Sequence, residues 1–251
     1  MLAPPCPARW TCMRRETTNK IRTILEDVVP PVLRDSGLFK AMAQLAWGQH
    51  ISDLARFRAN APFNTAQEYE DLYRKHPRVH AQTDNSAACV ARIARDVTGR
   101  SVCDVGCGTG YLLTLIRAAR PEIADLHGVD FVIEDARALP GIAFTAAKIE
   151  ALPFPDGHFD TVVCTHVIEH ILDYRAALAE LRRVTRQRLI IVVPREREYK
   201  YTFNPHFNFF PYTHSFLRAV HPVPASHVCE DIGRDIYYCE TSAGPPGARA
   251  A

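Results

Sequence analysis

A glycine-rich turn that directly follows a short apolar run limits what this chain can fold into. Residues 101–105 are predicted to form a buried strand, Gly106, Gly108 and Gly110 follow it, and a helical pattern begins at Gly110. Glycines at such positions permit a sharp turn and let a ligand approach the backbone amides. A strand, a glycine turn and a helix in this order indicate an α/β domain that binds a nucleotide-like ligand.

The chain continues to alternate between strand and helix patterns. A short helix over 213–220 and a hairpin around 231–234 complete the pattern. Together these elements predict a doubly wound, mostly parallel sheet of seven strands. We predict strands near 101–105, 125–129, 142–147, 159–165 and 188–193, with helices over 110–120, 132–138 and 173–186.

Helical periodicity also precedes this domain, with a capping-box spacing at Thr65 and Glu68. The segment 195–212, which we call the lid, follows the fifth strand, has no clear periodicity and is rich in aromatic residues. We expect residues 1–12 to be a disordered leader or the product of an upstream start. We divide the chain into a disordered leader (1–16), an N-terminal helical cap (17–85), an α/β domain that includes the lid (86–240) and a disordered tail (241–251).

The residues around the glycine turn distinguish between kinds of ligand. A dinucleotide fingerprint would have its third glycine at the position of Tyr111, and the Gly-Lys-Ser/Thr of a phosphate loop is absent from the sequence. Asp104 lies just before the turn, where it would repel a pyrophosphate and attract a sulfonium or ammonium group. Asp130 ends the second strand, where a carboxylate can bind ribose hydroxyls of either kind of ligand. The pattern favours a cationic cofactor.

Four segments resemble one known family in its own order. Residues 102–111 resemble motif I of class I S-adenosylmethionine-dependent methyltransferases, especially the group that includes quinone-biosynthesis methyltransferases, and 127–130, 150–160 and 167–171 continue the likeness. The resemblance covers about 100–195. It implies a Rossmann-like fold, S-adenosylmethionine as cofactor and S-adenosylhomocysteine as product.

The resemblance also implies a role for each cofactor-binding residue. Asp104 and the glycine turn would flank the methionine portion, Asp130 would hold the ribose, and Phe131 would lie against the adenine. His166, at the end of the fourth strand, would border the sulfonium. The turn residues with this role are Gly106, Cys107, Gly108 and Gly110.

One position departs from the family pattern. The family usually has an aspartate near the end of the third strand that accepts a hydrogen bond from the adenine amine, and this chain has Lys148 there. An ammonium group cannot accept that bond. We therefore expect adenine recognition to fall to the backbone of Ile149 or to Glu150.

Two histidines follow the fourth strand. For a hydroxyl acceptor, methyl transfer requires removal of a proton, and His166 and His170 are candidate bases at the carboxyl edge of the sheet. His170 has the alternative of packing or capping. Residues 166–170 also spell H-x-x-E-H, a zinc-hydrolase signature that belongs within a long helix. Because a strand pattern ends at His166, we assign no metal and keep a zinc hydrolase only as a remote alternative.

The lid supplies rings that can enclose an organic acceptor and exclude water. We expect Phe207 and Phe210 to pack against the core. The expected reaction is methylation of a small organic acceptor at oxygen or, less favoured, at nitrogen or carbon. The residues predicted to contact that acceptor, within the lid or just after it, are Tyr201, His206, Tyr212 and His214.

The composition limits the classes of molecule that the chain is expected to bind. A net charge of +2 indicates no polyanion partner, and no apolar run approaches the roughly 18 residues of a membrane span. The eight cysteines have no pairing pattern, which predicts reduced thiols and a cytoplasmic protein. Two alternatives stay open, a cofactor-binding protein without turnover and an RNA methyltransferase. The latter requires one basic face formed by Arg56, Arg58, Arg74, Lys75 and Arg78.

Overall fold

The computed structural model of the protein describes residues 20–48, 50–75, 82–133, 139–202 and 204–242. These residues form two compact units. The N-terminal unit contains the described residues up to Asp84 together with Arg197–Phe207, and the sheet unit contains those of Asn85–Glu196 and from Asn208 onward.

The helices and strands follow the predicted order. A π-helical turn, Ile24–Val28, comes first, and 3-10 turns lie at Ala61–Phe63 and Ile168–His170. The α-helices are α1 (Pro31–Arg34), α2 (Gly37–Trp47), α3 (His50–Ala59), α4 (Ala66–Lys75), α5 (Ala87–Asp96), α6 (Tyr111–Ala119), α7 (Tyr174–Val184) and α8 (Thr213–Ala219). The strands are β1 (Ser101–Val105), β2 (Asp125–Asp130), β3 (Ala143–Ala146), β4 (Phe159–Thr165), β5 (Thr185–Pro194), β6 (His227–Ile232) and β7 (Asp235–Thr241).

The seven strands form one sheet in the order β3-β2-β1-β4-β5-β7-β6. Strands β1 to β5 are parallel, whereas β7 runs antiparallel to both β5 and β6. The chain order reverses between β1 and β4, and open sheets of this kind bind ligands outside the carboxyl ends of the strands at such a point. The sheet confirms the predicted doubly wound, mostly parallel architecture.

Both faces of the sheet are covered, which explains the continuous apolar runs in its central strands. Along β5, Leu189, Ile191 and Val193 belong to one core cluster, while Ile190 and Val192 belong to the other. This alternation follows from the two-residue side-chain period of a strand. Helix α7 packs on the first face and α5 and α6 on the second.

Several predicted helix starts are confirmed by their capping bonds. The side-chain oxygens of Ser86 and Asp173 accept backbone N–H groups at the starts of α5 and α7. Thr65 and Glu68 exchange the two bonds of a capping box before α4. Of the predicted helix over 132–138, residues 134–138 lie outside the described residues.

The N-terminal unit contains α1 to α4 and part of the lid. Its core includes Tyr201 of the lid, which packs against Ala43 of α2 and Ile51 of α3. Arg58 of α3 donates to the carbonyl oxygen of Tyr199 and to the carboxylate of Glu198. These contacts assign residues 197–207 to the N-terminal helices. The predicted division, with the whole lid in the α/β domain, differs from the structure at this point.

The predicted organisation also includes a leader and a tail at the two ends of the chain. The predicted leader (1–16) and residues 243–251 of the predicted tail lie outside the described residues. Among the helices that the structure describes, none has the length and apolar character needed to cross a membrane.

Candidate active site

The glycine turn after β1 has the backbone that the sequence predicts. Gly106 and Gly110 have φ of 80° and 73°, in the left-handed region that side chains disfavour. A Cβ at Gly106 would lie 2.1 Å from Cγ2 of Val167, and one at Gly110 would lie 2.7 Å from the ring of Phe144. Neighbouring elements therefore approach this turn so closely that larger residues do not fit.

The turn is fixed to the end of β2 by hydrogen bonds. The N–H of Gly106 donates to the carbonyl oxygen of Val129 at 2.7 Å, and that of Gly108 donates to Oδ2 of Asp130 at 2.7 Å. The N–H of Val132 lies 3.4 Å from Oδ1 of the same carboxylate. These bonds fix the Asp130 carboxylate at the carboxyl end of β2, and its contact with a ribose stays a prediction.

A second carboxylate lies beneath the turn. Asp104 is 2% exposed and lies beside Gly128 of β2 and Val163 of β4 in the sheet. Burial, aided by the charge of Asp104, raises the pKa of the Cys103 and Cys164 thiols well above their usual value. Both thiols are therefore neutral, and Asp104 gives this position negative character that suits a cation.

The residues predicted to bind adenine lie beyond the carboxyl ends of β2 and β3. Phe131 is 40% exposed, and Nζ of Lys148 lies 5.9 Å from the centre of its ring. Ile149 is buried, and Glu150 is half-buried in the turn that follows β3. Phe131 and Lys148 thus lie close together, while their contact with adenine stays a prediction.

His166 lies directly after β4 in a conformation unusual for a residue with a side chain. Its φ is 55°, and its N–H donates to the carbonyl oxygen of Val192 at 2.8 Å. Its Nδ1 is 3.5 Å from Oε1 of Glu169, and its Nε2 is 3.9 Å from Oδ1 of Asp235. Both carboxylate side chains are 1% exposed. Neither carboxylate has a role in methyl transfer that the sequence predicts.

The H-x-x-E-H residues do not have the backbone that the zinc-hydrolase signature requires. His166 follows a strand, and Glu169 and His170 lie in the 3-10 turn Ile168–His170. A long helix, which would place the two imidazoles one turn apart, does not form over these residues. The motif did mark Glu169, whereas nothing in the sequence marked Asp235, which begins β7.

The predicted acceptor residues belong to different units. Tyr201 and His206 are buried and belong to the N-terminal unit. Tyr212 and His214 belong to the sheet unit at the start of α8, where their rings stack with centres 5.0 Å apart. The structure therefore pairs Tyr212 with His214, and contact of these four residues with an acceptor stays a prediction.

Phe210 packs in the core of the sheet unit as predicted, whereas Phe207 packs within the N-terminal unit instead. The ring of Phe207 lies 5.6 Å from that of Phe57 in the N-terminal unit. The ring of Phe210 lies 5.1 Å from that of Phe216 in the sheet unit, in a T-shaped arrangement.

The carboxylates of the sheet unit suit the charge and the hydroxyl groups of S-adenosylmethionine. At the turn itself, Val167 fills the space that a Cβ at Gly106 would need. Asp104 supplies a buried negative charge near that turn, and Asp130 supplies acceptor oxygens at the end of the next strand. A negative charge at the end of β1 would stabilise a sulfonium, and acceptor oxygens at the end of β2 would bind the hydroxyls of a ribose.

Comparison with known proteins agrees with this reading. The chain is 31% identical over 115 residues to a probable S-adenosylmethionine-dependent methyltransferase of Mycolicibacterium smegmatis, over 45% of this chain and 44% of that protein. It is 31% identical over 114 residues to the ubiquinone/menaquinone biosynthesis C-methyltransferase UbiE of Citrifermentans bemidjiense, over 41% of this chain and 48% of that protein. The chain spans less than half the length of these relatives.

A solved structure of an S-adenosylmethionine-dependent methyltransferase from Aquifex aeolicus is 15% identical, with a TM-score of 0.49, over 62% of this chain and 88% of that one.

The family match coincides with the site described above. Residues 103–193 match the family described as a methyltransferase domain, and they include the glycine turn, Asp130 and His166. Over residues 103–193 the chain is therefore similar to S-adenosylmethionine-dependent methyltransferases, enzymes whose cofactor is S-adenosylmethionine.

Proposed function

We propose that this protein transfers the methyl group of S-adenosylmethionine to an oxygen, or less favourably a nitrogen, of a small organic acceptor. The observation that carries the proposal is the position of His166 beside the glycine turn. Val167, the next residue, lies so close to Gly106 that a Cβ there would come within 2.1 Å of it. A group able to remove a proton thus lies next to the turn expected to hold the methyl donor.

The protein's own contribution is chiefly binding and orientation. S-adenosylmethionine supplies an electrophilic methyl group on a positively charged sulfur. The buried carboxylate of Asp104 favours a positive charge beside the turn, and Asp130 would fix the ribose from the end of β2. Holding donor and acceptor in line converts a bimolecular reaction into an effectively unimolecular one, which can lower the barrier by about 7–11 kcal/mol.

His166 would then receive the proton of the acceptor group. Its side chain is 11% exposed, so its ring can meet a substrate while most of it is fixed by the protein. A neutral imidazole suits this role because its unperturbed pKa is near neutrality. His170, which ends the following turn, is the second candidate base from the sequence.

The acceptor class follows from the residues of the lid and of α8. Tyr212 is 45% exposed and stacks on the exposed His214, which offers an amphipathic surface for an organic ring. Contact of Tyr201 and His206 with the acceptor stays a prediction from the sequence. Arg58, one of the residues needed for a basic RNA-binding face, is engaged by Glu198 and the backbone of Tyr199. This engagement favours a small acceptor over RNA.

We also propose a cytoplasmic location. Five of the six described cysteines are buried as thiols, an arrangement suited to a reducing compartment.

Transfer of a labelled methyl group tests the proposed function. Purified protein and methyl-labelled S-adenosylmethionine are incubated with phenols, aliphatic alcohols, amines, hydroquinones and a short RNA in separate reactions. We expect label in at least one small acceptor, at oxygen or nitrogen, and its loss in His166→Asn. Label in a hydroquinone carbon would favour the carbon chemistry named for the UbiE relative, and label in RNA alone would contradict the small-acceptor proposal. Binding of the cofactor without transfer to any acceptor would favour a non-catalytic binding protein.

A further inference from the structure

The outer side of the first N-terminal helices is apolar and exposed. Residues 28–45 cover the end of the π-helical turn, α1 and most of α2, and every exposed residue among them is apolar, a proline or a glycine. The exposed residues of this segment therefore carry no charge. Its large exposed side chains, which we call the apolar face, belong to Val28, Val32, Leu33, Leu38, Met42 and Leu45.

The cationic side chains of this segment lie against the N-terminal unit itself. Arg34 is 5% exposed, donates to the carbonyl oxygen of Leu25 at 3.0 Å, and has its Cζ 5.0 Å from the centre of the Tyr199 ring. Nζ of Lys40 lies 5.9 Å from the centre of the Tyr201 ring. Both cations are thus held against aromatic rings of the lid, because the face of an aromatic ring attracts a positive charge.

The other polar side chains of the segment also bond within this unit. Oδ1 of Asp35 accepts the N–H of Lys200 at 2.8 Å, and Nε2 of Gln44 donates to the Ser52 hydroxyl of α3 at 2.6 Å. Ser36 caps α2 with its side-chain oxygen. A surface helix normally has the reverse arrangement, with its apolar stripe toward the core and its polar side chains in water. The polarity of residues 28–45 is therefore inverted.

Helix α2 is apolar on both of its sides. On the inner side, Ala43 packs in one core cluster with Ile51 of α3. On the outer side, Leu38, Met42 and Leu45 follow one another at helical spacing, so they share one face of the helix. A helix that is apolar all round is normally buried. The outer side of α2 therefore has the composition of a surface that another surface covers.

The extent of the apolar face is that of one side of a stable protein interface. Its six residues are 59–89% exposed. Residues of their size then present on the order of 800 Å² of accessible surface, which matches the roughly 800 Å² that each partner buries in a specific complex. The largest apolar patch of a typical monomer is about 300–600 Å². The apolar face is therefore larger than a monomeric protein normally leaves in water.

We propose that the apolar face binds a second copy of this chain through the same face of that copy, which gives a two-fold symmetric homodimer. In such an interface each part of the surface meets the equivalent surface of the partner. Charged residues would there oppose like charges, whereas a face without exposed charge is complementary to itself. Homodimer interfaces are also more apolar than those of transient complexes.

A lipid surface fits the apolar face less well than a second copy does. Helices that lie on a membrane surface combine an apolar side with lysines and arginines that reach the lipid head groups. In residues 28–45 the two cations, Arg34 and Lys40, lie against rings of the lid, and the exposed residues include no further cation. The absence of charge from the exposed residues of this segment therefore favours a protein surface of the same kind.

Analytical ultracentrifugation of the purified protein over a range of concentrations tests the proposal. We expect a dimer that dissociates on dilution. Leu45→Lys and Met42→Lys should each raise the Kd of the dimer at least about tenfold, because each buries an ammonium group in an apolar interface. Val228→Lys is the matched control, since Val228 is 41% exposed on the edge strand β6 of the sheet unit. It should sediment as the wild type does.

A pair of opposite charges tests whether the face meets its own equivalent. Leu45→Lys and Leu45→Glu should each dimerise weakly alone. An equal mixture of the two variants should associate more tightly than either one, because lysine then faces glutamate across the interface. Leu45 is 89% exposed, so both variants should keep the circular dichroism spectrum of the wild type.

Four results would overturn the proposal. They are a wild-type protein that is monomeric at every concentration, a dimer that neither Leu45→Lys nor Met42→Lys weakens, a dimer that Val228→Lys dissociates, and a mixture of charge variants that associates no more tightly than its components. Flotation of a monomeric wild type with vesicles of phosphatidylcholine and phosphatidylserine would assign the apolar face to a lipid surface instead. These measurements need neither cofactor nor methyl acceptor, so they are independent of the proposed function.

Discussion

Asp130 connects the glycine turn to the proposed ribose site, so its removal should weaken cofactor binding more than any other single carboxylate change in the sheet unit. Its Oδ2 accepts the N–H of Gly108 at 2.7 Å, and in the proposed complex the same carboxylate accepts hydrogen bonds from the two ribose hydroxyls. In Asp130→Ala both the ligand bonds and the fixed position of the turn are lost.

The magnitude follows from the number of bonds. A hydrogen bond to a charged group contributes about 1.5–3 kcal/mol, so two bonds to ribose correspond to about 3–6 kcal/mol. Each 1.4 kcal/mol is a factor of ten, so the Kd of S-adenosylhomocysteine should rise by about 10²–10⁴. Asp130→Asn, which keeps one acceptor oxygen, should lie between the wild type and Asp130→Ala.

Calorimetric titration of S-adenosylhomocysteine measures the effect, and thermal unfolding without ligand measures the loss of the Gly108 bond separately. Asp125→Ala is the matched control, because Asp125 is exposed at the opposite end of the same strand, β2. It should bind as the wild type does. A Kd for Asp130→Ala within about threefold of the wild type, less than 1 kcal/mol, would refute the assignment of Asp130 to the ribose.

Three further changes test the rest of the account. Gly110→Ala should lower the free energy of unfolding in urea by about 2–5 kcal/mol, because the cost of a left-handed backbone adds to that of a clash with the Phe144 ring. A change under about 0.5 kcal/mol would contradict this prediction. Burial acts to raise the pKa of Asp160, but two backbone N–H groups hold it below its usual value, so Asp160→Asn should cost about 1–3 kcal/mol at neutral pH. A lowered folded-state pKa gives stability that is lost as pH falls through it, so the difference in Tm between Asp160→Asn and the wild type should shrink in acid, and a constant difference would count against this. Lys148→Asp should lower the Kd of S-adenosylhomocysteine about twofold to tenfold, because it restores an acceptor for the adenine amine. Weaker binding would show that Lys148 itself contacts the cofactor.

The strands and helices of the sheet unit could be predicted because local sequence and packing agree there. The apolar run over 159–165 matches β4 residue for residue, since a central parallel strand is buried on both faces. Ser86 and Asp173 marked helix starts through capping chemistry that depends on only three residues of sequence. The predicted fifth strand was too short, because β5 begins at Thr185 with residues whose polar side chains conceal the pattern.

Features that depend on contacts between distant segments could not be predicted. Asp235 reaches His166 only because β7 pairs antiparallel with β5 and brings its first residue to the carboxyl edge of the sheet. The division of the lid between the two units could not be predicted from the sequence for a similar reason. Residues 197–207 lack periodicity, and contacts such as the pairing of Arg58 with Glu198 and the packing of Tyr201 assign them to the N-terminal helices.

The central claim is that the sheet unit binds S-adenosylmethionine through the glycine turn and the strand-end carboxylates. The most direct measurement is calorimetric titration of S-adenosylmethionine and of S-adenosylhomocysteine into the purified protein, with NAD as the control ligand. The account predicts saturable binding of the first two at one site per chain and no binding of NAD. Binding of NAD, or of none of the three by folded protein, would contradict it.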